Sequence, residues 1–498
     1  MKKTGLTLVF LFLIQSASGF LLNPGCRAYY LNDEISVIEV VDLDGDGFKD
    51  VLVGTSKNGV VESFIYAEDA CETEWVVEKS DSNYGAVEDL ELNDFNADGQ
   101  LDVAVSVSKS HTPKPENPRY HVYALDARTF VEFFKDKEYT PQASSVSSMD
   151  VDGDGALNII GAGKRSVVAY TDVGERNVKY EWMHETPLDV FKVEAVEAGE
   201  NEFKLAVVST SRNMTVLEFL DADGKISWSA EIPYGVHTSG GKDVVDYGDV
   251  DEDGVEDVFV AAGSRVYAYS PVDGLIFSHN LPEESRIVSS ISFMEGYGVL
   301  AGARPYAVMI DCEGVEVWRS RVDSTVYDID SGDVTGDGTP DVAVSSYGLI
   351  YLFNVDGGLL TKLYKPKVGV NWLQTEDKVE NMQGIIVGNV KIADLDDDGV
   401  NELVISYSAQ STGLSQNIRG SLEVFRVDQS YTKPASTTSV LVKSPEILYE
   451  QREKGDDEVI PDLDDVVDAV DEATIKPKKP QPLKQYTTTI VEEVSESN

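Results

Sequence analysis

A nine-residue pattern recurs six times in this chain, and no other feature limits its folding options as much. In Asp42-Leu43-Asp44-Gly45-Asp46-Gly47-Phe48-Lys49-Asp50, acidic side chains stand at positions 1, 3, 5 and 9 and glycine at position 6. The same spacing returns at Asp94/Asn96/Asp98/Asp102, Asp150/Asp152/Asp154/Asn158, Asp249/Asp251/Asp253/Asp257, Asp333/Thr335/Asp337/Asp341 and Asp394/Asp396/Asp398/Glu402. Glycine holds position 6 each time, as Gly47, Gly99, Gly155, Gly254, Gly338 and Gly399. It supplies backbone freedom that a tight turn of this kind demands. Each loop then runs into a short apolar β-type segment, such as Val103-Ala104-Val105.

Several hard oxygens aimed at one point suit Ca²⁺, which takes six to eight oxygen ligands in flexible geometry. The expected donors are the side chains just named and the position 7 carbonyls of Phe48, Gln100, Ala156, Val255, Thr339 and Val400. About six ions are therefore expected, in a structural role. A single loop would mean little, because Asp/Gly-rich turns are common. Six with one internal spacing are a signature.

The loops begin at 42, 94, 150, 249, 333 and 394. The two wide gaps each hide a unit that keeps its strands and lacks the ligands. One lies around Ala198-Gly199-Glu200-Asn201 and the other around Met294-Glu295-Gly296-Tyr297-Gly298. No metal is expected at either. A period of this size signals a propeller or solenoid, and short β-branched, aromatic segments broken by glycine and aspartate read as strands. The fold class expected is all-β: a propeller of about eight, alternatively seven, four-stranded blades whose A–B loops bind calcium. The aromatics on strand D (Trp75, Trp182, Trp228, Phe277, Trp318) are expected to pack between neighbouring blades. The last unit supplies only strands A, B and C, so the ring needs a closing strand. Cys26 to Leu31 is the first candidate and Thr438 to Lys443 the second.

These loops with their following strands resemble the FG-GAP/VCBS repeats of integrin α-subunit-type β-propellers, over roughly residues 34–427. The tryptophan-bearing D strands also resemble quinoprotein-like eight-bladed propellers, including those of outer-membrane assembly scaffolds. The resemblance implies an extracellular, calcium-stabilised propeller serving adhesion, recognition or scaffolding. Two units without the metal loop, and no integrin-like domains downstream, separate this chain from integrin adhesion proper.

Compartment and partners follow from the ends and the charge. Lys2 and Lys3, an apolar run from Leu6 to Ile14 and Ala17-Ser18-Gly19 read as a secretory signal over residues 1–19. The propeller is expected over 20–434, with no transmembrane segment in the mature chain. Residues 435–498 are acidic and then Lys/Pro-rich, and read as a largely disordered tail or a docking peptide for another surface component. Secretion or display at the cell surface is the localisation this implies. With 88 acidic and 41 basic residues the net charge is −47, which excludes nucleic acid as a natural partner. Three cysteines leave one over; Cys26–Cys71 is one pairing the count allows, with Cys312 as a buried hydrophobe.

Chemistry of an enzyme is not in view. His111, His121, His184, His237 and His279 sit in no metal or nucleophile motif, and there is no adjacent-cysteine pair of the kind quinoprotein dehydrogenases often carry. The alternative retained is a calcium-dependent polysaccharide lyase. The expected partner is a protein or glycan at the cell surface. Four long loops (109–121, 233–244, 365–386, 408–420) lie on the rim opposite the metal loops, and Trp372 and Arg419 on two of them are the expected partner-binding residues.

Overall fold

A computed structural model of the chain describes residues 22–31, 34–56, 61–67, 70–77, 86–108, 122–127, 131–136, 143–171, 173, 179–199, 202–236, 243–282, 285, 288–364, 382–411 and 418–427. Within them all regular structure is β, in eight antiparallel sheets of four strands. Seven sheets use four consecutive strands, labelled A to D from the axis outward. The first runs Ile35–Val41, Asp50–Thr55, Val61–Ala67 and Ala70–Val77. This is an eight-bladed β-propeller.

The eighth blade closes the ring. Met382–Ala393, Glu402–Ser411 and Ile418–Val427 supply its strands A to C, and the N-terminal strand Leu22–Leu31 pairs outside them as strand D. The register runs from Leu22 opposite Val427 to Leu31 opposite Arg419. The closing strand is thus the first candidate, extended by four residues; the second, Thr438 to Lys443, lies outside the described residues, as do the signal segment and the tail.

Both units without a metal loop are full blades. Asp189–Gly199 joins Glu202–Thr210 with Gly199 opposite Glu202, and Val288–Met294 joins Gly298–Ala303 through a turn closed by a 3.0 Å bond from Tyr297 N–H to Met294 O. The seven-bladed alternative is thereby excluded.

Burial explains the composition of each strand. Strand B lies mid-blade with a neighbouring blade on either face, so every residue of Asp257–Ala262 and Asp341–Ser346 is buried. Such strands carry apolar or small residues on both faces after the leading aspartate. Strand D is outermost, and Glu316–Arg321 alternates half-buried and exposed. The apolar core is accordingly divided into wedges between blades: Met294, Met309, Ile329, Tyr351 and Phe353 form one such wedge, joining the sixth and seventh blades. Cys312 is half-buried against another wedge, while the Cys26–Cys71 pairing rests on side chains outside the described residues.

The D-strand aromatics hold blade to blade. Trp182, Trp228, Phe277 and Trp318 each cover a left-handed glycine in the C–D turn of the next blade: Gly224, Gly274, Gly314 and Gly357. Any side chain at Gly224 or Gly357 would sit 2.6 Å from the indole. Trp182 and Trp318 also donate their indole N–H to the carbonyls of Ala222 and Val355, at 2.6 and 2.7 Å. Trp75 lies outside the residues whose side chains are described.

Candidate metal centres and the axial channel

The six Asp-rich loops share one hydrogen-bonded frame. The position 1 carboxylate accepts from the glycine N–H at position 6 in all six, at 2.7–3.0 Å. The position 5 carboxylate accepts from the N–H at position 7, at 2.8–3.0 Å. The position 9 side chain accepts from the position 2 N–H in five of them; in the loop at 333 Asp341 accepts from Thr335 N–H instead. The glycine at position 6 has φ between +84° and +96°, with open space where a Cβ would be. It is therefore required for its backbone angle and not for room.

One contributor was missed in the sequence. Position 2 is Leu43, Phe95, Val151, Val250, Val334 or Leu395, and every one is buried. This side chain pins the loop to the wedge below it. Its signal was present: an apolar residue inside an otherwise acidic, glycine-rich run.

Within this frame carboxylates converge in four loops. Asp42/Asp44/Asp50, Asp150/Asp152/Asp154, Asp249/Asp251/Asp257 and Asp394/Asp396/Glu402 each bring one carboxylate oxygen apiece within 4.8 Å of one another. In the loops at 94 and 333 an amide (Asn96) or a hydroxyl (Thr335) replaces the position 3 carboxylate, and their acids do not form such a group among the described residues.

Among the expected donors, the convergence picks out positions 1, 3 and 9, or in the loop at 150 positions 1, 3 and 5. Of the position 5 carboxylates only Asp154 joins its loop's group; Asp46, Asp98, Asp253, Asp337 and Asp398 do not. Oδ1 of Asp46, Asp253 and Asp337 accepts from the N–H groups of Phe48, Val255 and Thr339, and Asp154 Oδ1 makes the same bond to Ala156 N–H. Asp337 Oδ1 also accepts from the Thr339 hydroxyl, at 2.5 Å. In the loop at 150, position 9 is Asn158. Its uncharged amide replaces the position 9 carboxylate, and its single oxygen accepts from Val151 N–H at 2.8 Å. The group at 150 is accordingly built from positions 1, 3 and 5, where three of the others use 1, 3 and 9.

Burial pushes Asp102, Asp257 and Glu402 up to about 7, and Asp341 to about 6, with neighbouring carboxylates adding to the effect. Asp257 is fully buried and its Oδ1 has no hydrogen-bond partner. A buried, unpartnered carboxylate oxygen beside two other carboxylates is a costly arrangement unless a cation completes it. The donor set is all hard oxygen and fits the calcium expected from the sequence.

A second feature was invisible in the sequence. Strand A is the inner edge of every blade, and side chains saturate it by reaching to the next blade's strand A. Asp89 accepts from Val146 N–H, Asp246 from Phe293, Asp328 from Val390 and Asp330 from Ile392, at 2.6–3.3 Å. Ser145 and Ser147 accept from Val193 and Ala195 in the same way. Ser36, Ser144 and Ser289 each donate to a carbonyl of the following strand A, at 2.6–2.7 Å. An exposed sheet edge is thereby stitched to its neighbour.

These strands enclose an axial cavity of about 1090 Å³ whose acidic lining includes Glu39, Glu91, Glu194, Asp243 and Asp246. Lys192 crosses it from the fourth blade to Asp89 of the second, at 2.9 Å, with Glu194 at 3.4 Å. Burial drives Glu91 up to about 7 and Glu194 to about 8. For Lys192 and Lys391 burial pulls the other way, but the surrounding carboxylates outweigh it and hold both amines above their ordinary range.

The expected partner-binding residues fare differently. Trp372 lies outside the described residues. Arg419 is in strand Ile418–Val427, opposite Leu31 and Ala409, and not in a loop. The expected 408–420 loop is shorter because residues 418–420 pair with residues 408–410 of the preceding strand, and Arg419 and Gly420 also with the N-terminal strand. His184 lies 3.4 Å from Glu218, and His279 lies 3.0 Å from the carbonyl of Gly314; both are packing contacts between blades. The other histidines are outside the described residues.

No family model matches the chain, and no curated protein does. Among solved structures, the chain is similar to BBS1N in complex with ARL6DN, at 11% identity over 84% of this chain and 99% of that one, with a TM-score of 0.42. It is similar to the Vibrio cholerae biofilm matrix protein Bap1, at 15% identity over 80% and 78%, with a TM-score of 0.38. It is also similar to the Bacillus licheniformis rhamnogalacturonan lyase PL11, at 13% identity over 79% and 71%, with a TM-score of 0.45.

Proposed function

We propose that this chain is an exported calcium-binding propeller of the FG-GAP/VCBS type, acting as a recognition or scaffold protein at or beyond the cell surface. The observation that carries the reading is the shared frame of the six loops, which spends one oxygen of the position 5 and position 9 groups on the backbone and, in four loops, gathers carboxylates around one point. The unpartnered Asp257 Oδ1 is its plainest instance. Calcium, when bound, would supply the positive charge that these clustered carboxylates lack. The side chains at positions 1, 3 and 9 and the position 7 carbonyl would hold it. Position 5 would add its second oxygen, and in the loop at 150 Asp154 would take the place that Asn158 leaves weak.

The loops are also joined to one another along their rim. Lys49 N–H donates to Leu395 O at 3.0 Å, Asn401 to Asp333 O at 3.2 Å and Glu256 to Glu197 O at 2.8 Å. A rim ordered in this way supports a rigid display surface, which is what a recognition protein needs. The opposite rim, at the Arg419 end of the closing strands, is the face proposed for a protein or glycan partner.

Calorimetric titration of the chelator-stripped protein tests the reading. Saturable binding of several calcium ions with a rise in melting temperature is expected; absence of binding would remove the central claim. Incubation with uronic-acid polysaccharides tests the second half, and unsaturated products would make the protein a lyase instead.

A further inference from the structure

The loop at 394–402 differs from the others in what faces its free oxygens. Backbone amides take both oxygens of Asp394, Oδ1 of Asp398 and Oε2 of Glu402. One guanidinium donates to the free oxygens of Asp396 and Asp398 and lies within ion-pair distance of Glu402 Oε1, which has no hydrogen-bond partner. Arg426 Nη2 lies 3.0 Å from Asp396 Oδ2 and in contact with Asp398 Oδ2, and Arg426 Nε lies 3.3 Å from the fully buried Glu402 Oε1.

The register makes this specific to the eighth blade. At the strand C position facing position 9 of the loop, the first, second and seventh blades carry Ile65, Asp126 and Asn354. In the third and fifth blades the residue after the last paired tyrosine is Thr171 and Ser270. Of the six blades with an Asp-rich loop, only the eighth carries a cation there, Arg426, which is also opposite Asn23 of the N-terminal strand. The loop's donor set and the closing strand of the ring are thus joined through one side chain.

We propose that Arg426 is the resident cation of the loop at 394–402, and that calcium enters this loop only by displacing it. The proposal rests on the calcium reading of the other loops. A planar guanidinium with several fixed donors can satisfy two carboxylates at once. The blade that closes the ring therefore keeps its loop partly neutralised without metal, while loops such as 42–50 and 249–257 carry no such cation at that position. The same contact ties strand Ile418–Val427, which holds the N-terminal strand in place, to the rim.

Hydrogen–deuterium exchange read by mass spectrometry on the full chain, titrated with calcium from a chelated start, tests this. In the wild-type protein, loops 42–50 and 249–257 should gain protection at low calcium, and loop 394–402 should need at least about tenfold more, the cost of displacing a charge-assisted pair worth about 1.4 kcal/mol. In Arg426→Ala, loop 394–402 should respond in the same range as the other two and lose its protection in chelator. Equal calcium dependence of all three loops in the wild type would overturn the proposal, and so would an unchanged response in Arg426→Ala. Should that variant fail to fold, the wild-type comparison alone decides. If loops 42–50 and 249–257 ignore calcium, the calcium reading falls and the proposal falls with it.

Discussion

Trp318 donates its indole N–H to the carbonyl of Val355, 2.7 Å away in the next blade, while its ring lies over Gly357. One side chain thus supplies a hydrogen bond, an apolar contact and a steric lock at a single joint. Trp318→Phe keeps the ring and removes the donor, and should cost about 1 kcal/mol. Gly357→Ala combines a φ of +77° with a Cβ 2.6 Å from the indole, and should cost about 1–3 kcal/mol. Urea denaturation measures both, and the Gly357 penalty should shrink when Trp318 is alanine.

Chelation should lower the melting temperature, and the effect should depend on pH. Asp102, Asp257 and Glu402 titrate at about 7 in the folded, metal-free protein, as burial disfavours their charged form. In the unfolded chain they titrate near about 4. Between those values the native state holds protons that the unfolded state has released, so the stability of the metal-free fold falls as pH rises from about 4 to about 7. Glu91 and Asp246, at about 7 and about 6, act in the same direction. Chelated protein should therefore melt higher at pH 5 than at pH 8, and added calcium should help most at pH 8. Calorimetric scans at the two pH values check the sign.

Asp98→Ala removes the position 5 carboxylate of the second loop, which also accepts from Gln100 N–H at 3.0 Å. One calcium ion should be lost from the native mass spectrum, with the propeller intact by circular dichroism. Loss of more than one ion would mean that the loops bind as a unit.

At the axis, Asp328 accepts from Val390 N–H at 2.8 Å and from Ser290 Oγ at 3.2 Å, spanning three blades. Asp328→Ala leaves a buried N–H without its acceptor and should destabilise by about 1–3 kcal/mol. Asp328→Asn retains an acceptor oxygen and should cost less, which urea denaturation of the pair will show.

The blade architecture was legible because it is written locally. A loop such as 249–257 and the apolar strand after it repeat at short range, and Trp228 marks strand D wherever it falls. Cys26 to Leu31 was recognisable as the closing strand because the last unit was one strand short. Spacing alone did not separate the roles inside a loop, since Asp253 and Asp257 look alike in sequence while the turn claims an oxygen of the first and burial isolates an oxygen of the second. Residues that act across blades were not legible at all. Nothing near Asp89 in the chain announces Lys192 or Val146, and nothing near Asp398 announces Arg426. Arg419 was taken for a loop residue because one of its partners, Leu31, stands at the other end of the propeller sequence.

The pairing of Leu22–Leu31 with Ile418–Val427 sets an order of events during synthesis. The first strand to be made is among the last to find its place, since its partner is the final strand of the propeller. Until then it is an unpaired edge, and closure of so long a loop is intrinsically slow. Ending translation after residue 417 would delete one strand and orphan a second, about four hundred residues upstream. Synthesis as far as Val427 is therefore what lets the molecule become a closed ring.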